Sequence, residues 1–139
     1  MNIRDVMTQN PRTVAPNDTI QRAATVMKEV DTGFVPIVEN GRVVGVVTDR
    51  DIVIRAVAAG SYDKPVSEIA TRELVFVAPG DSTRDAEKLM SERQIRRIAV
   101  VENGRLVGIV SLGDLAVKEG KDGRTGDTLE SISEGVKKH

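Results

Sequence analysis

The sequence predicts an α+β chain made of two like halves about a pseudo-twofold axis, each reading strand, helix, β-hairpin, helix. Three observations predict it. Residues 3–53 lie over residues 66–116 at a constant offset without a gap, so that Thr8 falls on Thr71, Ala23 on Ala86, Met27 on Met90 and Glu29 on Glu92. In each half an apolar pattern of helical spacing is followed by two β-rich runs separated by Glu-Asn-Gly. Each hairpin then ends on nearly the same phrase, "GVVTDRD" at 45–51 and "GIVSLGD" at 108–114, closing on Asp both times. A repeat that occurs twice, not many times, fits two packed halves better than a solenoid.

The elements follow in order. "RTVAP" and "VFVAP" are short extended segments stopped by proline, which biases the preceding residue away from helix. In "NDTIQRAATVMKEVD" the residues Ile20, Ala23, Ala24, Met27 and Val30 recur at helical spacing, with Asp18 or Thr19 placed to cap the N-terminus. The second copy keeps Ala86, Leu89 and Met90 on one face. "FVPIV" and "RVVGVVT" flank Asn-Gly, the dipeptide of a type I′ hairpin turn. A second helix, "DRDIVIRAVAAG" or "LGDLAVKEG", closes each half on glycine. The halves are bounded as residues 1–60 and 66–119, with 61–65 as linker and 120–139 as a flexible tail. Asp127 and Glu130 are spaced like a capping box there, and Leu129, Ile132 and Val136 share one face of a short helix, which would dock on the body or on a second subunit.

Composition narrows the chemistry. The chain of 139 residues has no cysteine, and its one histidine is the last residue, His139. Disulfides and thiolate zinc sites are thus excluded, and histidine catalysis nearly so. Phe34, Phe76 and Tyr62 are the only aromatic residues, the net charge is −1, and charges of both signs are mixed along the length, so no nucleic-acid footprint stands out. No apolar run has signal-peptide or membrane-spanning length, which places the chain in the cytoplasm. No phosphate loop of Walker type, metal cluster or nucleophile with its base is present in the sequence, so no enzyme is expected.

"DVMT" at 5–8, "TVAP" at 13–16, "GFVPIVENGRVVGVVTDRDI" at 33–52 and "QIRRIAVVENGRLVGIVSLGDL" at 94–115 together resemble the CBS-domain family, two motifs in tandem forming a Bateman module. The resemblance covers residues 1 to about 118 and is closest to the small stand-alone bacterial type. It implies two motifs packed sheet to sheet, a flat homodimer, and a non-enzymatic regulatory role. The implied ligands are adenosine derivatives, among them AMP, ADP, ATP and S-adenosylmethionine. The alternative is an interaction module that binds no nucleotide.

The repeated Asp suits that role physically. Thr48 and Ser111 stand at the N-cap, and Asp51 and Asp114 lie three residues on, where backbone N–H groups and the helix dipole favour anions. A carboxylate offers two acceptor oxygens to the two adjacent hydroxyls of a ribose. The same spacing also describes a plain capping box, and Asp51 with Arg55 or Asp114 with Lys118 can pair along the helix. In the family a basic pair opening the second strand reaches ligand phosphate; Arg96 and Arg97 hold those positions in the second copy, Gly33 and Phe34 in the first. Gly113 leaves the second helix start open, where the first copy has Arg50. Asp49 repels phosphate, with Arg50 the nearby offset. Three alternatives follow for the first copy: empty, filled by an uncharged adenosine, or served by an arginine lent across the pseudo-twofold cleft.

Overall fold

The computed structural model describes residues 1–119, so the helix expected within 120–139 lies outside the described residues. The elements are β1 (Thr8–Gln9), α1 (Ile20–Val30), β2 (Phe34–Glu39), β3 (Arg42–Thr48), α2 (Asp49–Asp51), β4 (Phe76–Val77), α3 (Thr83–Arg93), β5 (Arg97–Glu102), β6 (Arg105–Ser111) and α4 (Leu112–Glu119). They group into two compact units: Arg12–Leu74 with Gly104–Leu106, and Met1–Pro11 with Val75–Asn103 and the described residues from Val107 on.

In the first of these units β2 and β3 pair antiparallel from Phe34↔Thr48 to Glu39↔Arg42, with a bulge between Ile37 and Val38. Asn40 and Gly41 have φ of 56° and 81°, and Asn103 and Gly104 have 55° and 80°. Both connections therefore show the two left-handed residues of a type I′ turn, whose twist matches that of the flanking strands. Of the two expected caps of α1, Thr19 takes the position: its Oγ1 accepts the Arg22 N–H at 3.0 Å. Asp18 instead accepts the Ala15 N–H at 2.7 Å and closes the turn after Pro16. The helix ends on Asp31 in the left-handed region, and its inner face buries Ile20, Ala23, Val26 and Met27 against Val35, Ile37 and Val47.

Two expectations need correction. "RTVAP" forms no strand; only Val14 bridges, in parallel to Ile37, because the run is too short to sustain a ladder before Pro16. The second helix of the first copy is α-helical only for its first turn. From Ile52 to Val57 it winds as a π-helix, with Ala58 N–H donating to the Val53 carbonyl at 3.1 Å. Ile52, Val53, Ile54 and Val57 are all β-branched and crowd the ordinary α spacing.

The segment that begins each copy packs into the other copy's core. Ile3 and Val6 are buried with Val77, Ala86, Met90, Ile98, Val100 and Leu115, whereas Val66 and Ile69 are buried with Val14, Ile20, Val26 and Val35. The backbone contacts are equivalent: Ile3 N–H donates to Asp81 O at 2.9 Å and Val66 N–H to Asp18 O at 2.7 Å. Thr8 pairs with Ile109 on β6 just as Thr71 bridges Val46 on β3. The compact units therefore exchange the leading segments of the two sequence halves.

Ile3 is 0 % exposed although it is the third residue of the chain. Truncation to Ile3→Ala is expected to destabilise the protein by about 2–4 kcal/mol, as core truncations do. Val117→Ala, at an 82 % exposed position, is expected to stay within about 0.5 kcal/mol. Urea denaturation checks both; a loss below about 1 kcal/mol for Ile3→Ala is too small for a docked leading segment.

Candidate functional site

Each unit builds the same turn at the end of its hairpin. In the first copy Val47 is buried, Thr48 is extended at φ −115° and ψ 163°, and the next residues enter the helix. Thr48 Oγ1 accepts the Asp51 N–H at 3.2 Å, and Asp51 Oδ2 accepts the Thr48 N–H at 2.9 Å. In the second copy Ser111 Oγ and Asp114 Oδ2 make the same exchange, both at 3.0 Å. These are closed capping boxes, made with Asp where Glu or Gln is the common partner. A buried strand end followed by a helix start leaves backbone donors to satisfy, and this pairing satisfies two at once.

The cap engages only half of each carboxylate. Among the described residues, Oδ1 of Asp51 and Oδ1 of Asp114 accept no hydrogen bond, and both aspartates are half-buried. Each therefore presents one unused oxygen, held in place by the other, as a rigid acceptor. The expected pairing of Asp51 with Arg55 does not form. Arg55 Nη1 donates instead to the Ile69 carbonyl at 3.2 Å, tying the π-helix to the exchanged leading segment.

The basic pair of the second copy stands beside its turn. Arg97 opens β5, Arg96 precedes it, and the Arg96 carbonyl accepts the Leu112 N–H at 2.8 Å, which brings Arg96 next to Ser111 and Asp114 in one unit. Both arginine side chains are exposed, and among the described residues neither enters an ion pair. Gly113 is exposed as well, and a Cβ there would meet the Ser111 Oγ at an ordinary 3.7 Å. In the first copy Gly33 O accepts the Asp49 N–H at 2.9 Å in the equivalent bond, and Arg50 is exposed at the helix start with its N–H held by Asp49 Oδ1 at 2.8 Å.

A cavity of about 240 Å³ elsewhere in the first copy's unit, lined by Pro16, Ile37, Glu39, Val44, Ser67, Ala70 and Arg72, contains none of these residues. Among the described residues there is no group of three or more acidic, cysteine or histidine side chains placed to hold a metal. Nor is any helix there long and apolar enough to cross a membrane.

A model of the CBS domain matches residues 3–57 and 66–118, the two stretches that carry these turns. The chain belongs to the CBS-domain family. A CBS domain-containing protein, YhcV, of Bacillus subtilis is 46% identical over 132 residues, covering 94% of each chain. Among solved structures, a CBS domain pair in complex with 5'-methylthioadenosine and S-adenosyl-L-methionine superposes with a TM-score of 0.79 at 29% identity, covering 86% of this chain and 96% of that one. The protein CBSX2 in complex with AMP superposes with a TM-score of 0.75 at 26% identity, covering 84% and 94%. The α+β class and the two CBS motifs read from the repeat are thereby established, and the coverage of YhcV makes this a chain of the small CBS-protein kind.

Removing either hydroxyl tests the caps. Thr48→Ala and Ser111→Ala are each expected to cost about 1 kcal/mol, the ordinary worth of an N-cap side chain. Thermal unfolding followed by circular dichroism reads this as a fall of a few degrees, and a loss above about 3 kcal/mol would mean the turns carry more than a cap.

Proposed function

We propose that this CBS pair is a regulatory, non-enzymatic module that binds an adenosine derivative at one or both of its strand-to-helix turns and acts as a cytoplasmic homodimer. The observation that carries the reading is the repeated carboxylate with one oxygen fixed by the cap and one unused. In the proposed roles Asp51 and Asp114 receive the ribose hydroxyls through Oδ1 and the spare lone pair of Oδ2, beside the Thr48 and Ser111 hydroxyls. Arg96 and Arg97 receive phosphate, Arg50 stands near the ligand in the first copy, and Gly113 leaves room at the second helix start. The CBS pairs that hold AMP, or 5'-methylthioadenosine and S-adenosyl-L-methionine, support the ligand class. The cap closes each turn through hydrogen bonds of the chain itself, so binding requires little ordering there, which favours affinity.

A second reading, a protein-interaction module without nucleotide, draws on Val53, Ile54 and Val57, which are 59 %, 53 % and 57 % exposed on the π-helical second helix. Apolar residues so grouped suit a protein contact, and the same face serves the proposed homodimer. Ile54→Asp is then expected to shift the mass measured by light scattering from two chains to one.

Calorimetric titration of the purified chain with AMP, ADP, ATP and S-adenosylmethionine decides between the readings. Binding of at least one at a Kd of about micromolar is expected, and Asp114→Ala is expected to remove only the binding at the second turn, read as a fall in stoichiometry or in AMP affinity, while circular dichroism shows the fold intact. Silence from all four by ligand-free protein would favour the interaction module.

A further inference from the structure

We infer that the turn of the first copy takes an adenosine derivative that carries no phosphate, with positive charge preferred, and that Asp49 sets this choice. The inference deepens the nucleotide-binding reading above and rests on it.

The two turns share their backbone and their cap but differ in the residue that follows the cap. In the second copy that residue is Leu112, 4 % exposed and packed in the core with Ile98, Val110 and Leu115. In the first copy it is Asp49, and an unpaired carboxylate cannot take the buried position without a large desolvation cost. Its side chain is therefore exposed and lies over Gly33. Oδ1 is held by the Arg50 N–H at 2.8 Å, and Oδ2 stands only 2.6 Å from where a Cβ on residue 33 would be. Gly33 is the counterpart of Arg96. The carboxylate thus fills the space in which the second copy starts a basic side chain, and no side chain larger than hydrogen fits at 33 unless Asp49 moves.

The consequence is electrostatic. Arg96, Arg97 and Asp114 leave the second turn with a net positive charge, while Asp49, Arg50 and Asp51 leave the first with a net negative one. A phosphate entering the first turn meets a fixed carboxylate beside the ribose acceptor, whereas a sulfonium or ammonium group meets attraction. Asp49 is exposed, so solvent moderates the effect without reversing it.

The test is calorimetric titration of the full chain carrying Asp114→Ala, which leaves the first turn as the site read, with and without Asp49→Asn. The probes are AMP, adenosine and S-adenosylmethionine. With Asp49 present, adenosine and S-adenosylmethionine are expected to bind more tightly than AMP. Asp49→Asn is expected to raise AMP affinity about fivefold or more and to weaken S-adenosylmethionine, with neutral adenosine unchanged within about twofold. Adenosine is the control for structure, because a merely structural role would move all three probes together. An AMP to S-adenosylmethionine preference that does not respond to Asp49→Asn overturns the inference. So does a chain that binds AMP as wild type yet binds none of the three as Asp114→Ala. A wild type silent toward every probe is a different result: it removes the nucleotide reading itself, and this inference with it.

Discussion

The structure depends on the burial of four side chains, Ile3 and Val6 in one core and Val66 and Ile69 in the other. Each pair belongs to the segment that begins one sequence copy and closes the core formed by the other. The segments do more than cover apolar surface. Thr71 exchanges backbone hydrogen bonds of 2.9 and 3.0 Å with Val46 on β3, two residues before Thr48. Ile69, in the same segment, accepts from Arg55 on the helix that follows the Asp51 turn. The strand that leads into the turn and the helix that leaves it are thus both braced by one segment, which is how an acceptor oxygen can be presented rigidly on an otherwise short helical turn.

Much of this was legible in the residues, and the parts that were not have physical reasons. Asn-Gly at 40–41 and 103–104 demanded left-handed backbone at two successive residues, so the hairpins followed, whereas the bulge between Ile37 and Val38 did not. The spacing of Ile20, Ala23 and Met27 predicted α1 and most of its buried face, whereas Val30, expected there, is exposed and Val26 is buried instead. The exchange of leading segments was hidden by the repeat itself: Ile3 and Val66 are equivalent and similar, and nothing in either segment says which of two near-identical cores receives it. The π-helix was hidden because the run Ile52–Val57, apolar but for Arg55, has no period that separates α from π winding. At the site, Thr-x-x-Asp and Ser-x-x-Asp were readable as caps, and the capping geometry is there. Which oxygen remains free, and where Arg55 goes, depended on contacts distant in sequence.

The two copies also show how a duplicated frame diverges. Backbone, cap and hairpin turn are held in common because each satisfies polar groups that burial would otherwise leave unpaired. The residue after the cap is under no such demand, since its N–H donates to the carbonyl of residue 33 or 96 whatever its side chain. Leucine there adds to a core, and aspartate there adds a surface charge beside glycine. A single position thereby changes the electrical character of a turn without disturbing its shape.

The reciprocal loan of leading segments has a bearing on origin. A chain with one such motif would leave its core open at the place filled by Ile3 or Val66, while carrying the segment that closes an identical core. Two such chains would complete one another, as domain-swapped dimers do. Tandem duplication turns that bimolecular trade into an intramolecular one, governed by the short connection at 61–65 and no longer by how much of the protein a cell contains. Once partnership is guaranteed by covalent linkage, each copy is released from having to be its own counterpart.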